Sequence, residues 1–287
     1  MMKLTLRKMT VDRIPASIVR SPKSFFIFLA VTFLLFIFYF LNLLFNVVTP
    51  GNRWGLFYGT MATVLMVGVA LLGVRRRAMK MAAKKNIGKV QHWVQFHLYG
   101  GVIALLFVFM HTGFSFPSGL LDGCLWVTSI WVTISGLLGV LIQKIIPKML
   151  GSGLSIEVVY DRIPDLVNQI RERAEKIIPD CVDPIKDFYQ QNMSAVFLSP
   201  KFRSIYFIDI TDGIQRRMRA FDYLRRVLPV AEQEKLDQLQ SLYKTKLEID
   251  AHYTLQKVLR GWLYTHLPPS LILMVLIVLH LYTVWLY

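Results

Sequence analysis

The chain has 287 residues, 54% of them hydrophobic and 13% aromatic, with 33 Lys and Arg against 18 Asp and Glu and only two cysteines. So apolar a composition is that of a membrane protein, and two cysteines, Cys124 in an apolar stretch and Cys181 in a polar one, exclude a disulfide framework or a cysteine-based metal site. The net charge of +15 raises a nucleic-acid reading, but residues 144–262 are nearly balanced, and outside them the basic residues face only Asp12 and Asp122. The excess lies in short segments beside apolar runs, where basic residues set membrane orientation, so membrane lipid and not nucleic acid is the expected partner.

Residues 1–24 read as a cytoplasmic N-terminus carrying Lys3, Arg7, Lys8, Arg13, Arg20 and Lys23. Phe25 to Val48 then runs without a charge; it is too long for a signal peptide and no small-residue cleavage site follows, so it reads as a retained first span. A turn from Thr49 to Arg53 leads to a second span, Trp54 to Val74, in which Gly55 and Gly59 form a GxxxG pair that permits close helix approach. The loop holding Arg75, Arg76, Arg77, Lys80, Lys84, Lys85 and Lys89 contains no acid, which places it and the N-terminus on the cytoplasmic side. The third span, Trp93 to Phe114, leaves toward the outer face through Ser115–Gly119. The fourth, Leu120 to Ile142, returns with Ser135, Gly136 and Gly139 as small residues and completes the spans of residues 25–143.

Residues 144–262 are expected to form a small α+β cytoplasmic domain inserted between helices 4 and 5. Gly151-Ser152-Gly153 is a hinge-like lead, Pro164 to Ile178 has helical spacing, and Ala195–Leu198 and Ser204–Ile210 alternate like strands, the second followed by a Thr-Asp-Gly turn. From Val230 to Trp262 the pattern is helical, with Leu236, Leu239, Leu242 and Leu247 near one stripe. Residues 263–287 carry the fifth span, Leu267 to Tyr287, in which Pro268 and Pro269 suit the first turn, where missing N–H groups cost little. The fold class expected is an all-α membrane protein, five transmembrane helices in a bundle, with the C-terminus outside.

The third span contains His97 and His111, and the end of the chain repeats their fourteen-residue interval in His266 and His280. Fourteen helical steps return to within about 40° of the starting direction and rise about 21 Å, so each helix carries two imidazoles on one face near opposite sides of a bilayer. Spans three and five both run outward, so His97 and His266 share the cytoplasmic level and His111 and His280 the outer level. Each level then offers two imidazoles from opposite helices, enough for both axial positions of a haem iron. Gly100 and Gly101 lie on the face between His97 and His111, where absent side chains leave room for a flat macrocycle; close helix packing favours small residues there as well. A mononuclear zinc site needs three or four ligands at one depth and is excluded by the split between levels. His92 and His252 match no partner and read as surface or interfacial residues. Lys89 and Arg260 inside and Arg53 outside are candidate partners for haem propionates.

The interval on two helices resembles that of the di-haem b-type membrane cytochromes, His97/His111 and His266/His280 matching the spacing of the cytochrome b/b6 family. The compact size and five spans are similar to the haem-b anchor subunits of bacterial oxidoreductases. The likeness covers residues 93–142 and 266–287. The ligand helices here are the third and fifth, residues 144–262 are inserted, and there is no Pro-Glu-Trp-Tyr motif of a cytochrome bc-type quinol site. The resemblance implies two bis-histidine haem b groups, His97 with His266 and His111 with His280 as iron ligands, and electron transfer across a bacterial plasma membrane. It implies a quinone as a partner, and other oxidoreductase subunits, one of them docked on the cytoplasmic side, where Arg216, Arg217, Arg219, Arg225 and Arg226 cluster. With no open iron position, no catalytic residue is assigned. A stand-alone transmembrane reductase of a metal ion or small acceptor, and a non-redox membrane anchor for residues 144–262, are the alternative functions.

Overall fold

The structure, a computed structural model, describes residues 22–77, 89–153, 158–207 and 209–286. The basic residues before Pro22, and Lys80, Lys84 and Lys85 of the basic loop, lie outside the described residues. Five helices are long and apolar enough to cross a membrane, and the described residues contain no strand. Among the described residues every regular element is helical, and the five apolar helices are those of an integral membrane protein. The chain divides into a bundle unit, Met1–Leu138 with Thr265–Tyr287, and a polar unit, Gly139–Tyr264.

In the bundle unit α1 is Pro22–Phe45, α2 Arg53–Arg77, α3 Val90–His111, and α4 begins at Leu120. Along α1, Phe26, Phe33 and Phe45 are 64%, 65% and 83% exposed, the pattern of a helix facing lipid on most of its surface. Its inward residues are Tyr39 and Asn42, both buried. Asn42 Nδ2 donates to the Tyr58 hydroxyl at 3.2 Å and Asn46 Nδ2 donates to Asn42 Oδ1 at 3.0 Å, so these intramembrane polar groups satisfy one another and tie α1 to α2. Helices α2 and α3 pack most extensively, and glycines make this possible. A Cβ on Gly68 would lie 3.2 Å from the Phe96 ring, and one on Gly100 would lie 3.2 Å from Val69 Cγ2. Tyr58, Ala62, Leu106, Phe107 and Met110 form the buried seam between them.

Helix α4 runs Leu120–Gly153, so the expected hinge at Gly151-Ser152-Gly153 is the end of a helix. After it come α5 (Ile163–Ile177), α6 (Asp183–Phe188), a π-helical turn over Tyr189–Met193, α7 (Ser194–Phe197), α8 (Ile210–Val227) and α9 (Val230–Leu286). The expected strands are not present: Ala195–Leu198 falls on α7, and Ser204–Phe207 is a 3-10 turn leading to α8. Thr-Asp-Gly is the first turn of α8, capped by the Asp209 carboxylate, which accepts from Asp212 N at 2.9 Å. Short alternating runs cannot be told from single buried helical turns by period alone. Here Val196 and Phe197 are both buried although adjacent, which a half-buried strand does not allow.

The core of the polar unit forms where stripes on α5 (Ile163, Val167, Ile170, Ala174) and α8 (Ile210, Ile214, Phe221, Leu224) meet Leu236, Leu239, Tyr243 and Leu247 of α9. Leu242, expected on that stripe, is only partly buried. A Cβ on Gly139 would fall 2.0 Å from Trp262 Cζ2, so only glycine seats that indole. An ionic knot closes the core. Lys246 Nζ donates to Asp250 Oδ1 at 2.6 Å with both side chains fully buried, and burial pushes the Lys246 ammonium down while Asp250 opposes the shift. Asp250 Oδ1 also accepts from Lys201 N at 2.9 Å, and Arg203 N donates to Thr254 Oγ1 at 3.0 Å, fastening the 201–203 segment to α9. Burial pushes the neighbouring Tyr206 phenol up to about 12.

Helix α9 is 57 residues long, so Pro268 and Pro269 lie inside it and not in a first turn. A proline lacks the N–H that would bond the carbonyl four residues earlier. For Pro269 that carbonyl is Thr265 O, and it accepts from Trp131 Nε1 of α4 at 3.0 Å. A neighbouring helix thereby replaces the lost bond, which lets a proline pair sit inside a spanning helix.

Candidate functional site

The four intramembrane histidines lie in two facing pairs within the bundle unit. The rings of His97 (α3) and His266 (α9) have centres 6.3 Å apart and planes at 75°. Those of His111 and His280 are also 6.3 Å apart, at 83°. This pairing is the one that parallel third and fifth spans require. All four rings are half-buried.

Three of the rings are hydrogen-bonded through Nδ1, and the fourth has a carboxylate beside it. His97 Nδ1 is 3.0 Å from Val69 O and His111 Nδ1 is 2.8 Å from Gly55 O, both on α2. A carbonyl oxygen only accepts, so Nδ1 carries the proton and Nε2 keeps its lone pair. Gly55 and Val69 are themselves fourteen residues apart, so the antiparallel α2 keeps step with α3 over the whole interval. Ser135 Oγ, 2.9 Å from His266 Nδ1, donates to Val132 O at 3.1 Å and therefore accepts from the imidazole. His280 Nδ1 lies 2.8 Å from Asp122 Oδ1. Held through Nδ1, the rings of His97, His111 and His266 present Nε2 as the ligand atom.

Two glycines give the rings their seats. A Cβ on Gly59 would lie 2.9 Å from His111 Nδ1, and one on Gly136 would lie 3.3 Å from His266 Cε1. Gly101 has nothing within 4 Å of its missing Cβ, so open space lies one turn from His97, whereas at Gly100 that space is taken by Val69. On α9, Leu273 and Ile277 are buried between the two histidines.

Other expected residues lie elsewhere. His92 is exposed and in neither pair. His252, expected at a surface, is 3% exposed in the polar unit, with its Nδ1 3.4 Å from Gln256 Nε2; it follows Ala251 on a stretch of α9 buried nearly all round. Arg260 belongs to the polar unit, donating to Asp161 at 2.8 Å and stacking over Tyr160. Lys89 and Arg53 are exposed at the starts of α3 and α2. Of the arginine cluster on α8, Arg216 pairs with Asp212 at 2.6 Å and Arg225 with Asp237 and Gln240.

Sequence reasoning passed over the residues that orient the rings. Gly55 and Gly59 were expected to bring helices together, and Ser135 and Gly136 likewise; all four touch or admit a histidine. The signal was present as spacing. Asp122 and Ser135 are thirteen residues apart on a span antiparallel to the one bearing His280 and His266.

The fit of a metal group follows from the donor set. A metal–imidazole bond is about 2 Å and the ring centre about 1 Å further on, so two imidazoles on opposite sides of one ion have centres roughly 6 Å apart. Both pairs meet this separation. Among the described residues no group of three or more His, Cys, Asp or Glu could hold a metal ion. Two imidazoles at that separation are a donor set that would suit a haem.

Fold and site together define a five-span helical membrane protein with two facing imidazole pairs at two depths. No family model, no curated protein and no solved structure matches the chain.

Proposed function

We propose that this chain is a di-haem b-type cytochrome that carries electrons across a membrane, as the membrane subunit of a quinone-linked oxidoreductase complex. One observation carries the reading: two pairs of imidazoles, each with centres 6.3 Å apart, with three of the four Nδ1 atoms hydrogen-bonded to a partner outside the pair and the fourth 2.8 Å from the Asp122 carboxylate. His97 with His266, and His111 with His280, would be the axial ligands. When bound, haem supplies a one-electron iron couple.

The chain does the rest. The helix register separates the two levels by about 21 Å. The carbonyls of Val69 and Gly55 and the Ser135 hydroxyl fix ring orientation and tautomer, as outer partners of metal-bound histidines do, and the Asp122 carboxylate brings a charge beside the fourth ring. The apolar spans exclude water and ions from the electron's route. With two histidines to hold each haem, substrate chemistry would belong to partners: a quinone in the membrane, and subunits docking on the polar unit and its exposed arginines. The basic loop and N-terminus put the polar unit on the cytoplasmic side of a bacterial plasma membrane.

The purified protein, produced with haem supply, is expected to show b-type absorption bands on reduction, two haems per chain by pyridine haemochrome assay, and copurifying subunits. Purified protein without haem would refute the reading, and two haems with no partner would convert it to a stand-alone reductase. The seat of His111 gives a second check. Gly59→Val is expected to weaken haem retention at that level roughly 10–100-fold, as loss of an orienting contact does. Gly73→Ala, with nothing within 4 Å of the new methyl, should retain both haems.

A further inference from the structure

The four ring partners are unequal. Two are backbone carbonyls and one is a serine hydroxyl, all neutral; the fourth is the Asp122 carboxylate, 2.8 Å from His280 Nδ1. A carboxylate this close to a ligand imidazole adds negative charge beside the metal, and that charge favours the oxidised iron. At the level of His97 and His266 the two Nδ1 atoms meet neutral groups, Val69 O and Ser135 Oγ. The acid is also singular. Outside residues 144–262 the chain has only Asp12 and Asp122, so an acid at a spanning helix's first turn, aimed at one of four histidines, stands out.

We propose that Asp122 is a positioning residue that sets the order of reduction potentials, making the His111/His280 site the lower-potential of the two. This rests on the di-haem reading. With haem bound, His97 and His266 would hold the group that keeps the single electron of the half-reduced protein, and His111 and His280 the group that gives it up. The His280 and Asp122 side chains are 27% and 46% exposed, so solvent screens part of the effect and a shift of about one decade is expected.

The test is an optical redox titration of the full-length purified protein, with His97→Ala used to isolate the His111/His280 component and His111→Ala the other. Wild type should titrate as two one-electron components, the lower belonging to His111/His280. Asp122→Asn should raise that component by about 59 mV, a tenfold change in its equilibrium, and leave the upper one in place. Asp122→Glu, which keeps the charge, should restore most of the difference. An unchanged or lowered component in Asp122→Asn overturns the proposal. If Asp122→Asn does not retain that haem, the order in the single-site proteins decides, and a higher potential at His111/His280 overturns it. Absence of haem from wild type would instead refute the di-haem reading, so the two failures are told apart.

Discussion

Replacing His280 by alanine is expected to halve the haem content and to leave a component with the spectrum of the His97/His266 site. His111→Ala should give the same product, and His97→Ala and His266→Ala the complementary one. The pattern follows from the pairing, since each level draws one ring from α3 and one from α9. The anchoring of the surviving pair is independent of the lost one: Val69 and Ser135 hold one level, Gly55 and Asp122 the other. Haem per chain and the reduced spectrum decide it, with far-UV circular dichroism to show that the helices persist. Loss of both haems from a fully helical single variant, or loss patterned by helix and not by level, would rule out the two-level arrangement.

The largest stability effect is expected in the polar unit. Asp250→Ala should destabilise it by about 3–5 kcal/mol, because it leaves the Lys246 ammonium buried without its counter-charge. The same change removes the acceptor for Lys201 N and frees the 201–203 segment. Asp250 Oδ2 also lies 3.6 Å from Arg203 Nε, so Lys246→Met and Arg203→Met combined with Asp250→Leu should recover most of the loss, because apolar side chains of similar volume pay no ionic desolvation. Thermal unfolding of the detergent-solubilised full chain, followed by circular dichroism, measures both. A triple variant as unstable as Asp250→Ala would show that the carboxylate serves chiefly as an acceptor for the 201–203 backbone.

How much could be read in advance differs between the two units. Spanning helices announce themselves, because a bilayer demands about 20 apolar residues and leaves no alternative to helix. The starts of α2 and α4 and the membrane ends of α1 and α3 came within a few residues of expectation for that reason. The polar unit has no such constraint. Ser204–Ile210 has the composition of a strand, yet Tyr206 packs as one buried ring on Gly213 of α8 and the segment closes as a 3-10 turn. Nothing within those seven residues could have revealed that no strand would form beside them.

The site shows the same division. One-dimensional spacing determined that His97 and His111 share a face, that His266 and His280 repeat the interval, and that parity matches them level by level, because helix pitch and span count are properties of the chain alone. What holds each ring was decided by tertiary structure. A carbonyl at Gly55, a hydroxyl at Ser135 and a carboxylate at Asp122 become ring partners only when antiparallel helices settle into one register, and that register depends on side-chain volumes such as the space left by Gly59 and Gly136. Asp122 makes the point. In sequence it is an acid at the mouth of a span; in the fold it is a charged neighbour of the outer histidine pair, because α4 and α9 bring it to 2.8 Å from His280.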